Sequence, residues 1–116
     1  MSMAIADIAA SFSRHEFEQT FPYLAADIRW NMVGQRQVVG LDTVMDICRD
    51  SAAYLESVTT TFHEFRTMVG PDHVVIDSTA EYRDADGDAS VVASCDIYRF
   101  TTHGLVDIVS YTIELD

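Results

Sequence analysis

Ile5, Ile8 and Phe12 recur at intervals of three and four. That spacing lays them on one side of a helix over about residues 3 to 12, with Ser2 placed to cap it. Ser13 followed by Glu16 has the spacing of a capping box, and Phe17, Phe21 and Leu24 continue on one face of a second, shorter helix until Pro22 disturbs its last turn. The β-favouring residues Ile28, Trp30, Met32 and Val33 predict a strand, which Gly34 ends in a polar turn through Gln35, Arg36 and Gln37. Val38 and Val39 make a short return strand. After Gly40, Asp42 is placed to cap a third and longest helix running to about Ser57, with Val44, Cys48, Ser51 and Leu55 along one side.

Beyond Val58 the period changes to two. Val58, Thr60 and Phe62 alternate with polar residues, then Val74, Ile76, Ala80 and Tyr82, then Val92 to Phe100, then Val109, Tyr111, Ile113 and Leu115. The breaks at Gly70-Pro71-Asp72, Asp84 to Asp88, and Thr101 to Gly104 are of hairpin length, so neighbouring strands are expected to be antiparallel. Helices followed by strands predict an α+β fold. Strands this long accumulate twist until the sheet curls, and helices on its concave face leave a cavity at the wide end.

Composition narrows the function. The 116 residues, 48% of them hydrophobic, suffice for a single domain with one compact core. A formal charge of −12, with the seven Lys and Arg scattered singly, repels phosphate backbones and anionic membrane surfaces, so nucleic acid is not an expected partner. The stretch from Met1 to Ala10 carries Asp7 and lacks a basic start, and no run of about 18 apolar residues occurs. A cytoplasmic protein without membrane contact is expected. Cys48 and Cys95 lie in apolar-patterned segments with neither C-x-x-C spacing nor a neighbouring His, which reads as two reduced core residues and no metal or cofactor site. The run Asp84-Ala85-Asp86-Gly87-Asp88 lacks the later acidic ligand of a calcium loop and fits a hairpin turn.

The segment Val91 to Phe100 is apolar on both faces, with Val92, Ser94, Tyr98 and Phe100 on the face of Asp96 and Val91, Ala93, Cys95 and Ile97 on the other. Asp96 is therefore expected inside whichever way the strand turns. A buried carboxyl must be hydrogen-bonded or held protonated. A protonated acid in an apolar pocket can donate to a developing oxyanion. Trp30, Tyr54, Phe62, Tyr82 and Tyr98 supply aromatic surface for such a pocket, and the amide of Asn31 can hold a water or a carbonyl if it faces inward. Of the four histidines, His63 beside Glu64 reads as a surface pair, and His15, His73 and His103 lie near turns or caps.

The order of these elements, the stretch Ile28-Arg29-Trp30-Asn31-Met32-Val33-Gly34, the return at Val39-Gly40, and the stretch Val91-Val92-Ala93-Ser94-Cys95-Asp96-Ile97-Tyr98-Arg99-Phe100 together resemble the nuclear transport factor 2-like superfamily, in its SnoaL-like polyketide cyclase branch. The resemblance implies a cone of three N-terminal helices on a strongly curved, mixed but mainly antiparallel sheet, often dimerised through the sheet's outer face. Steroid Δ-isomerases are similar around Asp96, which would then be the protonated oxyanion donor with Tyr98 beside it. Their general base falls on Asn31, which accepts no proton at neutral pH. Limonene epoxide hydrolases are similar around Asn31-Met32, but their Asp-Arg-Asp set falls on Asp77, Thr79 and Tyr111.

The expected function is binding of a small apolar carbonyl compound by a cofactor-free isomerase or cyclase, with Asp96 and Tyr98 at its oxygen and Trp30, Tyr54, Phe62 and Tyr82 around it. The alternative is a non-catalytic module whose interior is filled and whose sheet face, through Val109, Tyr111 and Ile113, serves dimerisation or partner binding. An open cavity of about 300 Å³ or more beside Asp96 separates the two.

Overall fold

The computed structural model describes residues 3–115, so the cap read at Ser2 lies outside the described residues. The first helix, α1, spans Ile5–Ser13 and buries Ile8, Ala9, Ser11, Phe12 and Ser13. Ser13 is thus the last residue of α1 and no N-cap, which corrects the capping-box reading. The chain leaves α1 through bonds from His15 N to Phe12 O and from Glu16 N to Ser11 O, with His15 in the left-handed region at φ 69°. That conformation costs a non-glycine residue about 1–2 kcal/mol. Past His15 the chain forms a 3-10 turn, Glu18–Tyr23, where the spacing predicts a second α-helix. Pro22 within so short a segment lacks the N–H that a continued α-helix would use.

Strand β1 (Leu24–Met32) begins four residues before Ile28, because its start pairs with the C-terminal strand, an interaction that local propensity does not report. β2 is Arg36–Val39, and α2 is Leu41–Leu55. Gly40 at φ 102° is the N-cap of α2, and Asp42 lies in its first turn without a capping bond, where its charge suits the helix dipole. Four strands complete the chain, β3 (Thr59–Val69), β4 (His73–Arg83), β5 (Ala89–Thr101) and β6 (Gly104–Leu115). At the β4–β5 turn the Asp84 carboxylate accepts from the amides of Asp86 and Asp88, as a hairpin requires. No described helix is long and apolar enough to cross a membrane.

The sheet order is β2-β1-β6-β5-β4-β3, with every pair antiparallel except β1 and β6. The register shifts at His63, between Phe62 and Glu64 in β3, at Val106, between Leu105 and Asp107 in β6, and between Leu24 and Arg29 in β1. Each such irregularity bends its strand and adds twist. The sheet therefore curls without closing, and α1 and α2 pack into its concave face against β4 and β1. Ile28, Val44, Cys48, Val74, Ile76, Tyr98, Leu105 and Ile108 form the fully enclosed core. Burial pushes the Cys48 thiol up to about 12, so it stays protonated and unreactive. Cys95, expected in the core, is only half-buried, because its side of β5 forms the outer face of the sheet.

Where β1 starts to pair with β6, the backbones approach closely. A Cβ added to Gly104, at φ 107°, would lie 2.3 Å from the Tyr23 carbonyl oxygen, whereas one added to Gly34 would meet nothing within 4 Å. Gly104→Ala is expected to cost about 3 kcal/mol and Gly34→Ala about 1 kcal/mol, as read from urea unfolding midpoints. Equal losses would mean that the contact at Tyr23 relaxes freely.

Candidate functional site

The concave face encloses an open cavity of about 650 Å³, bounded by α1, α2 and the inward residues of β1, β4, β5 and β6. Phe12, Trp30, Ile47, Leu55 and Val92 give its wall apolar stretches, the exposed Arg36 and Asp50 are charged residues on it, and Asp96 is the carboxyl on its inner strands. A separate recess of about 300 Å³ lies on the other side of His15 and Phe17, lined by Glu16, Glu18 and Arg49 and away from Asp96.

Two strings of hydrogen bonds end on Asp96. Ser13 Oγ donates to Asp96 Oδ2 at 2.9 Å and lies 2.6 Å from the Tyr98 hydroxyl. A serine has one proton to give, so the Tyr98 hydroxyl must donate to Ser13 while Ser13 donates to Asp96. On the other side Asp96 faces Ser110 across the β5–β6 ladder and is hydrogen-bonded by it. Trp30 Nε1, which can only donate, gives its proton to Ser110 Oγ at 3.0 Å, and this leaves the Ser110 proton for Asp96.

Opposed effects set the acidity of Asp96. Enclosure in the apolar cone raises its pKa above the ordinary 3.8, and the Ser110 and Ser13 bonds act in the other direction without cancelling it. The group is thus a weakened acid, satisfied as an acceptor and open to the cavity. Burial, reinforced by the Asp96 charge, holds the Tyr98 phenol well above its ordinary range, so it remains a neutral donor.

A second polar group lies elsewhere on the wall. His15 Nε2 is 2.9 Å from the Tyr82 hydroxyl, and the His15 ring packs 5.7 Å from Phe17 and 5.9 Å from Phe62. Burial lowers the pKa of His15, so the ring is neutral at pH 7, and it raises that of Tyr82.

The structure brings Asp96, Tyr98, Trp30, Tyr54 and Tyr82 to one cavity. Tyr54, 61% exposed, stands at the rim, and Tyr98, with no exposed surface, spends its hydroxyl on Ser13. Asn31 does not join them: Trp30 and Met32 line the cavity, so alternation turns Asn31 to the outer face, beside Val109 on β6. Phe62 likewise does not line the cavity but stacks behind His15. Asp77, Thr79 and Tyr111 also point outward, Asp77 to a surface pair with Arg66, and His63 pairs with Glu81 at 3.3 Å. Sequence pattern does not single out Ser13, Ser110 or His15. Ser13 and His15 have the look of cap residues, and Ser110 shares the inward parity of Ile108, a signal masked by the more apolar outward set.

Because the Asp96 pKa is raised on folding, the native state holds this proton to higher pH than the unfolded chain. Stability then falls as pH rises above 3.8 and levels off beyond the native value. Urea unfolding of the wild type and Asp96→Asn across about pH 4 to 8 is expected to show that decline in the wild type alone. Ser13→Ala is expected to cost about 1–3 kcal/mol and to move the Asp96 carboxyl titration, followed by NMR, to still higher pH.

The SnoaL-like domain matches this chain over residues 5–108. A nuclear transport factor 2-like protein of unknown function from Cytophaga hutchinsonii is 30% identical, with 92% of this chain and 94% of that one aligned at a TM-score of 0.81. A putative isomerase from Rhodopseudomonas palustris is 19% identical over 97% and 91% of the two chains, with a TM-score of 0.73. A putative polyketide cyclase from Xanthomonas campestris is 12% identical over 90% and 83%, with a TM-score of 0.69. The comparison with curated proteins finds no match. With the family's domain spanning nearly the whole chain and a relative at 30% identity sharing its fold from end to end, the chain belongs to the SnoaL-like family of the nuclear transport factor 2-like superfamily.

Proposed function

We propose that the cavity binds a small, mostly apolar carbonyl compound and that Asp96 moves a proton on it, as a cofactor-free isomerase or cyclase would. The observation that carries this reading is a carboxyl of raised pKa, fed by two hydroxyl donors, facing an apolar cavity of about 650 Å³. The open volume favours ligand binding over the filled, non-catalytic interior. Asp96 as carboxylate takes a proton from the carbon beside the carbonyl, and the C–H electrons pass into an enolate. Asp96 then returns the proton to a different carbon in an isomerisation, or to the alkoxide formed when the enolate attacks a second carbonyl in an aldol cyclisation. Ser13 and Ser110 hold the carboxylate before it takes the proton and keep the protonated carboxyl in place until the proton is returned. Tyr98 acts through Ser13 as a positioning residue, and Trp30 shapes the wall while orienting Ser110.

Deuterium exchange of the α-protons of β-tetralone in deuterium oxide, followed by NMR, tests the proposal. The wild type is expected to accelerate exchange over buffer, and Asp96→Asn to lose about a hundredfold or more of that acceleration. Equal exchange with both proteins would sink the proton-transfer reading.

The outer face supports a homodimer. On β6, Tyr111, Ile113 and Leu115 are 48%, 64% and 42% exposed, and they pair with Cys95, Ala93 and Val91 of β5 to make one apolar patch. Sedimentation equilibrium is expected to give a dimer that Ile113→Asp converts to monomer with the fold retained. A monomeric wild type would refute the assignment.

A further inference from the structure

Besides the Asp96 network and exposed residues such as Gln35, Arg36, Asp50 and Tyr54, the cavity wall carries one half-buried polar pair that proton transfer at Asp96 does not use, His15 and Tyr82. His15 is held in a left-handed backbone conformation at the end of α1, which aims its ring at Tyr82. The two side chains form a hydrogen-bonded pair on the wall shared with Asp96. The pair stands apart from the Asp96 network: Tyr82 is registered with Ser90 on β5, whereas Asp96 is registered with Ile76 on β4. Val92 and Ser94 lie between them along β5 and line the same cavity. They are nonetheless close enough for the Asp96 charge to add to the effect of burial on the Tyr82 phenol.

The pair can adapt. A neutral imidazole carries its proton on either nitrogen. With Nε2 protonated, His15 donates to the Tyr82 oxygen, and the phenol proton is free for a ligand carbonyl. With Nε2 bare, Tyr82 donates to His15, and its oxygen accepts from a ligand hydroxyl. No ionised group is needed in either state, which suits an uncharged ligand.

We propose that His15 and Tyr82 form a second oxygen-binding site in the cavity, so that the ligand is a two-ended, dioxygenated apolar compound with one oxygen at Asp96 and the other at Tyr82. This rests on the cavity being the ligand site. It explains why His15 stays in a conformation that glycine would adopt without strain: the ring is what supports Tyr82 from behind, with Phe17 and Phe62 fixing its plane.

Fluorescence titration with two probes tests it, β-naphthol with one hydroxyl and the naphthalenediol carrying a second hydroxyl at the far end of the ring pair. The wild type is expected to bind the diol about tenfold tighter than β-naphthol. Tyr82→Phe, which removes one oxygen and keeps the ring, is expected to abolish that preference while leaving β-naphthol binding within about twofold. His15→Asn, which tolerates the left-handed backbone, is expected to act in the same direction. A wild type without preference for the diol, or a Tyr82→Phe variant that weakens both probes equally or neither, overturns the second site and leaves the cavity reading intact. Failure of the wild type to bind either probe overturns both.

Discussion

A carboxyl carried from water into an apolar interior loses hydration that only hydrogen bonds can replace, and the arrangement around Asp96 reflects that need. The replacement comes from two distant parts of the sequence. Ser13 arrives from the last turn of α1, Ser110 from the neighbouring strand, and Trp30 and Tyr98 feed protons to these two serines. Each member has a direction imposed by the others, because an indole can only donate and each serine has a single proton. The network is therefore satisfied from one end to the other, and no buried side-chain polar atom among the described residues lacks a partner.

The same network ties helix to sheet. Ser13 lies 83 residues from Asp96 and 85 from Tyr98 in sequence, so these bonds fix α1 over β5 as surely as its apolar side does. Room for a ligand comes from the curl. Irregular register in β1, β3 and β6 bends the strands away from a flat face, and the helices bridge the bend without filling it. Tyr98, Ile76 and Val74 close the interior on one side of Asp96, while Ser94, Val92 and Thr112 leave it open on the other.

Sorting of the two sheet faces has an equally simple cause. At the start of β6 an extra residue, Val106, sits between Leu105 and Asp107, which pair with consecutive residues of β5. That insertion lets Leu105 and Ile108 both face inward and sends Val109, Tyr111 and Ile113 outward. The apolar alternation of β6 thus marks the outer patch, and its quieter set, Ile108, Ser110 and Thr112, marks the interior.

Periodicity along the chain was enough to read α1, α2, the strands of the C-terminal half and their hairpins, since helix and strand spacing are local properties of which residues are apolar. It also pointed to Asp96 inside, although the premise that either face of β5 encloses it fails: the Cys95 face is the outer one, and Asp96 is inside because it shares the parity of Tyr98. Which way Asn31 points was beyond its reach, for that depends on β1 lying parallel to β6 in a register set by distant residues. So was the identity of the serines that satisfy Asp96, and of the histidine behind Tyr82. A serine at a helix end and a serine in a strand carry no mark of a common partner, and only the packing of α1 against a curled sheet brings them to one carboxyl.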